Sequence, residues 1–184
     1  MPDVGRRVWI VGNSGTGKTH LARRVSARLG LPHLELDALN HRPGWDEAPV
    51  EGFRTEVGRA LDGFQDAMGG WVVDGNYRRR LADVVTADTY VWLDYPRPVV
   101  MRRVVGRTLG RVLTRRELWN GNRERWRSLL NPDPRENIIL WAWVQQETYR
   151  RQYEAESARE RNGTWIRLRS PEAAERWLAA VGCS

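Results

Sequence analysis

Lysine is almost absent from this chain: of its 30 basic residues, 29 are arginine and one, Lys18, is lysine. Cysteine is equally scarce. Cys183 is the sole thiol, which excludes an internal disulfide and a cysteine-based zinc site and leaves an ordinary thiol near the end of the chain. No apolar run approaches the roughly 20 residues of a bilayer span, and the basic, polar N-terminus has no signal-peptide core. The expectation is a soluble, cytoplasmic protein without a membrane partner. Internal repeats, low-complexity tracts and linkers are missing too, so the 184 residues read as one domain, 1–184, with mobile appendages.

What is present begins with charge. A net charge of +7 suits a nucleic-acid binder and equally suits an enzyme whose ligands carry several phosphates. The one lysine lies in a telling place. Arg7 to Val11 reads RVWIV, a short run of β-formers, and Gly12-Asn13-Ser14-Gly15-Thr16-Gly17-Lys18-Thr19 follows at once. This is GxxxxGK[ST], and its required context is a strand before and a helix after. His20 to Leu29 supplies the helix, with Leu21, Val25 and Leu29 on one face and Gly30 as its stop. A loop that turns backbone N–H groups toward phosphate needs glycine where a Cβ would clash, and the helix N-terminus adds partial positive charge. The expected ligand is ATP along residues 12 to 19, with Lys18 at the β- and γ-phosphates and the Thr19 hydroxyl on Mg²⁺.

Beyond the loop, strands and helices alternate. Strands are expected at His33 to Leu36, Trp71 to Val73, Tyr90 to Leu93 and Trp165 to Leu168, ending near Asp37, Asp74 and Asp94. Helices are expected at Phe53 to Ala67, after Asn76 through Ala82 to Val85, at Val99 to Leu113, Glu136 to about Glu156, and after Ser170-Pro171 through Val181. Alternation of this kind predicts an α/β fold, a five-stranded parallel sheet with helices on both faces and ligands beyond the carboxyl ends of its strands. Residues 38–70 form an acceptor-side helical segment. Residues 108–134 form a lid, whose stretch from Thr114 to Pro134 is polar, arginine-rich and poorly explained as sheet or core helix.

The ordered set of GNSGTGKT (12–19), LELDAL (34–39), WVVDGNY (71–77), VWLDYPR (91–97), RVVGR (103–107) and ELWNGNRE (117–124) resembles the nucleoside monophosphate kinase family of P-loop proteins. Within it, the chain is similar to the bacterial adenylate-kinase-related group labelled DNA topology modulation proteins. The resemblance implies the three-layer P-loop NTPase sandwich with a helical, arginine-rich lid. It also implies that Asp74, Gly75 and Arg78 match an Asp-Gly and an arginine holding the acceptor phosphate, and that Arg103 and Arg107 match arginines gripping the donor nucleotide and the moving phosphoryl group. Asp37 falls where related small-molecule kinases keep a carboxylate near the acceptor. Tyr77 stands where the adenylate kinase pattern has a proline, and the long lid sequence is absent, so the resemblance does not carry AMP over as acceptor.

The residues leave several alternatives open. Arg103, Arg107, Arg111 and Arg115 recur every four residues, so on a helix they share one face with about 40° of drift per step. That stripe either clamps phosphoryl oxygens or is a solvated or nucleic-acid-binding face. Asp74 either holds Mg²⁺ or caps the next helix; Asp37 is either a general base and acceptor-orienting group or a turn residue. Trp45, Trp119 and Trp126 lie outside the expected sheet, where they stack on an acceptor or base or pack the lid on the body. His20, His33 and His41 show no ligand spacing. The expected function is phosphotransfer from ATP to a small acceptor, a nucleoside monophosphate or another hydroxyl or phosphate compound, with a nucleotide-dependent nucleic-acid-binding or regulatory ATPase as the alternative. No helix-turn-helix, zinc finger or RNP signature supports that alternative.

Overall fold

The computed structural model describes residues 4–81, 83–114, 117–122, 126–160 and 162–182. The strands are β1 (Arg7–Gly12), β2 (His33–Glu35), β3 (Trp71–Asp74), β4 (Thr89–Leu93) and β5 (Thr164–Leu168). They form one sheet in the order β2-β3-β1-β4-β5, and every pairing is parallel. The connecting helices are α1 (Lys18–Leu29), α2 (Leu36–Asn40), α3 (Val50–Met68), α4 (Arg78–Leu81), α5 (Arg97–Thr114), α6 (Trp126–Leu129), α7 (Ile138–Arg159) and α8 (Pro171–Ala180). This is the expected α/β sandwich.

Alternation along β1 divides the core. Val8 and Ile10 pack with α1, α5 and α8 through Leu21, Val25, Val100, Val104 and Leu178, whereas Trp9 and Val11 pack with α3 and α7 through Phe53, Val57, Leu61 and Tyr153. A parallel strand buried on both faces therefore reads as the continuous apolar run seen at RVWIV. Gly30 ends α1 in the left-handed conformation at φ 63°, and its N–H returns to the Ser26 carbonyl. Ser170 caps α8 by accepting from the Ala173 N–H.

Several element boundaries differ from expectation, among them α3, which starts three residues early at Val50, and α7, which runs on to Arg159; two differences have a local cause. β2 stops at Glu35, because its sole neighbour β3 ends opposite it at Asp74; Leu36 and Asp37 then open α2. The helix after Asn76 ends at Leu81 and not at Val85, since the Leu81 carbonyl accepts from both Val84 and Val85 and turns the chain toward β4. Residues 108–134, the expected lid, include a 3₁₀ turn at Trp119–Gly121 and the single turn α6. The expectations for Ala82, Arg115, Cys183 and part of the lid fall outside the described residues. Among the described residues no helix is long and apolar enough to cross a membrane.

Candidate functional site

The loop from Gly12 to Thr19 leaves β1 at the centre of the sheet and enters α1. Gly17, at φ 93°, is the N-cap of α1, so the first turn of that helix opens its unpartnered N–H groups toward the loop. Gly15, at φ 83°, lies so close to α5 that a Cβ there would meet Val104 Cγ2 at 2.3 Å. Lys18 Nζ donates to the Asn13 carbonyl at 3.2 Å. Burial lowers the Lys18 pKa, with Asp37 and Asp74 opposing that shift, Arg107 reinforcing it and Glu35 opposing it.

Carboxylates meet the loop from β2, α2 and β3. The Thr19 hydroxyl oxygen lies 3.2 Å from Glu35 Oε1 and 3.2 Å from Asp74 Oδ1. A hydroxyl has one proton, so it satisfies one of these acceptor-only oxygens at a time and faces the other with a lone pair. Such a hard-oxygen set fits a Mg²⁺ ion that keeps several waters and phosphate oxygens as further ligands. Among the described residues no group of three or more His, Cys, Asp or Glu forms a metal cage by itself. Asp74 is fully buried, and its second oxygen meets His33 Nε2 at 3.0 Å. Asp37 Oδ1 accepts from the Tyr77 hydroxyl at 2.8 Å, and Phe53 holds the Tyr77 ring edge-on at 5.2 Å. Burial and then the Asp37 charge push the Tyr77 phenol pKa far up, so this hydroxyl stays a donor.

Helix α5 brings two arginines over the loop. Arg103 donates to the Thr16 carbonyl at 3.1 Å and lies 5.5 Å from the Tyr95 ring centroid; Arg107 donates to Ser14 Oγ at 2.9 Å. The other side of the loop is pinned by groups far along the chain. Asn13 is buried, with its Nδ2 donating to the Ala142 carbonyl at 2.6 Å and to Gln146 Oε1 at 2.7 Å. Asn76 accepts from the Gly12 N–H at 3.1 Å, donates to the Gly12 carbonyl at 2.8 Å, and accepts from the Tyr153 hydroxyl.

Lys18, Thr19, Asp37, Asp74, Arg103 and Arg107 thus converge, and two expected site residues do not. Arg78 points into a box made by Tyr90, Trp9 and Trp165, 4.0 to 5.3 Å from their ring centroids, and is ion-paired to Glu156 at 2.6 Å and Glu160 at 3.6 Å. A guanidinium stacked and paired in this way is committed to packing α4 on α7. Trp45 sits edge-on to His41 and Trp119, while His41 stacks on Trp119 at 5.6 Å. Asn122 strengthens this seam by accepting from the Gly44 and Trp45 N–H groups and donating to the Arg42 carbonyl. Trp45 therefore packs the turn at Pro43–Trp45 against the turn at Trp119–Gly121. Asp94, at the end of β4, is held by Arg150 and Arg167.

Sequence reasoning missed Glu35, His33, Asn76, Tyr77 and Gln146. Glu35 had a signal, as an acid two residues before Asp37 on the same short strand exit. The others depend on partners 40 to 133 residues away and had none.

No family model matches the chain. A shikimate kinase of Paramagnetospirillum magneticum (strain ATCC 700264 / AMB-1) is 33% identical over 118 residues, a match covering 56% of this chain and 59% of that protein. The chain thus spans less than two thirds of that relative. Among solved structures, an unliganded sugar kinase from Janibacter sp. HTCC2649 is similar at a TM-score of 0.49 and 21% identity, covering 95% of this chain and 92% of the other.

Proposed function

We propose that this protein is an ATP-dependent small-molecule kinase that moves the γ-phosphate of ATP onto a hydroxyl group of its acceptor. The observation that carries the reading is the Asp37 carboxylate, oriented by the Tyr77 hydroxyl at 2.8 Å and near enough to Lys18 that its charge opposes the lowering of the lysine pKa by burial, beside a glycine-rich loop suited to phosphate. In this mechanism the loop N–H groups and Lys18 bind the donor phosphates. Thr19, with Glu35 and Asp74 behind it, would hold Mg²⁺, which would neutralise phosphate charge. Asp37 takes the proton of the acceptor hydroxyl as its oxygen bonds to the γ-phosphorus. The bond from phosphorus to the β–γ bridging oxygen breaks, and ADP leaves with the electron pair. Arg103 and Arg107 stabilise the charge spread over the transferring oxygens.

Two findings favour a hydroxyl acceptor. The similarity to a shikimate kinase over 118 residues supports kinase chemistry on a small molecule. The arginine that would hold an acceptor phosphate, Arg78, is occupied by Glu156, Glu160 and three aromatic rings. The deciding assay is ATP consumption with Mg²⁺ across nucleoside monophosphates, nucleosides and small polyols or hydroxy acids, with a DNA-supplemented sample alongside. Stimulation by one hydroxyl compound with stoichiometric ADP, lost in Asp37→Asn while ATP binding persists, is the expected result. Stimulation by DNA alone would replace this reading with a nucleic-acid-dependent ATPase.

A further inference from the structure

On the face of β5 turned away from α8, a surface cavity of about 480 Å³ is lined by Asp94, Pro96, Arg97, Arg150, Glu154, Arg167 and Arg169. Four guanidinium groups there face two carboxylates, an excess of two positive charges. The carboxylates are already used: both Asp94 oxygens take the paired N–H groups of Arg150 and Arg167, and Glu154 Oε1 accepts from Arg167 at 2.9 Å. Arg97 and Arg169 make no ion pair among the described residues, and Arg97 Nε is a buried donor with no hydrogen-bond partner. The Arg97 guanidinium is steadied from one side by the Trp143 ring, 4.6 Å from its centroid. A second concavity, of about 470 Å³ along α3, balances Glu51 and Asp62 against Arg54 and Arg59 and so prefers no sign of charge.

We infer that the cavity between Arg97 and Arg169 is a second anion site, separate from the loop at Lys18, that takes a dianionic phosphate group, free or as a phosphomonoester. Two unpaired guanidinium forks match the charge of such a dianion, and each offers paired N–H donors to its oxygens. Asp94, Arg150 and Arg167 form the rigid floor, because every one of them is engaged before a ligand arrives. The inference does not depend on the proposed reaction.

The test is calorimetric titration of inorganic phosphate into full-length protein whose Lys18 loop is filled with MgADP, at constant ionic strength with chloride. Saturable binding of one phosphate is expected, weakened on the order of tenfold or more in Arg97→Gln/Arg169→Gln, as loss of charge-assisted hydrogen bonds requires. Arg24→Gln, which removes one charge at an exposed ion pair on α1, should bind as the parent does. Phosphate should also still bind to Lys18→Ala, since that lysine lies outside the cavity; this arm holds even where ADP does not occupy the loop. A parallel titration with glycerol phosphate distinguishes a free from an esterified phosphate by which binds more tightly. Absence of saturable binding, equal affinity in the double variant, an equal loss in Arg24→Gln, or loss of binding in Lys18→Ala would each overturn the site. Arg169→Gln alone, at an exposed position, serves where the double variant does not fold.

Discussion

Replacing Asn13 by alanine separates two roles that a loop residue can have, contact with the nucleotide or support of the loop. The side chain is 3% exposed; its Nδ2 donates to Ala142 O and Gln146 Oε1, and its Oδ1 accepts from the Ser14 N–H at 2.8 Å. Three lost hydrogen bonds at about 1 kcal/mol each, with the Gln146 oxygen left buried and unpartnered, amount to about 3 kcal/mol or somewhat more. Asn13→Ala should therefore lower the unfolding free energy in urea by about 3 kcal/mol and weaken ATP binding as the loop loses its anchor on α7. Gln146→Leu alone should also destabilise, but the two changes together should cost less than their sum, with a coupling of about 1 kcal/mol or more. Unchanged stability with lost turnover, or strict additivity, would refute support by α7 and make Asn13 a nucleotide contact.

Three further outcomes follow from the same geometry. Lys18→Ala should abolish ATP consumption with little change in the unfolding midpoint; in the parent, burial depresses the Lys18 pKa, so the ammonium is present at low pH and is lost as pH rises through that lowered value. kcat/KM for ATP should thus decline at a pH below the ordinary lysine value of 10.5, and a decline that begins only at or above it contradicts the assignment. Arg78→Met should cost on the order of 3 kcal/mol, since Glu156 and Glu160 lose their partner, and should leave the acceptor KM unchanged; a raised KM in a fully stable variant would restore Arg78 to the acceptor site. Tyr77→Phe keeps the ring against Phe53 and removes one hydrogen bond to Asp37, so kcat with the acceptor should fall on the order of tenfold while ATP affinity holds. Equal turnover in the phenylalanine variant would detach Tyr77 from the chemistry.

The features legible in the chain were those written contiguously. Gly12 to Thr19 sets its own backbone, because glycine at positive φ, a following helix and a lysine at its start are local requirements, and RVWIV before it, a short run of β-formers, reads as the strand that the loop requires. The alternation that followed was enough for a five-stranded parallel sheet, and the carboxyl ends of its strands were enough to bring Asp37 and Asp74 toward the loop. Side-chain partners across the fold were another matter. Arg78 was assigned from its place after Asp-Gly, yet a four-residue helix and the packing of α7 turned it into an aromatic box, where stacking and two carboxylates outweigh exposure to an acceptor. Trp45 meets Trp119 because Asn120 and Asn122 tie the two turns together across the chain, Asn122 from 77 residues away from Trp45. His33 and Glu35 gained their places from the register of β2 on β3, a pairing that no local pattern encodes. By itself the sequence determined the phosphate loop and the sheet, since backbone conformation and hydrophobic alternation are short-range. Only the tertiary structure decided which polar groups surround that loop, because buried donors and acceptors must find partners wherever the folded chain brings them.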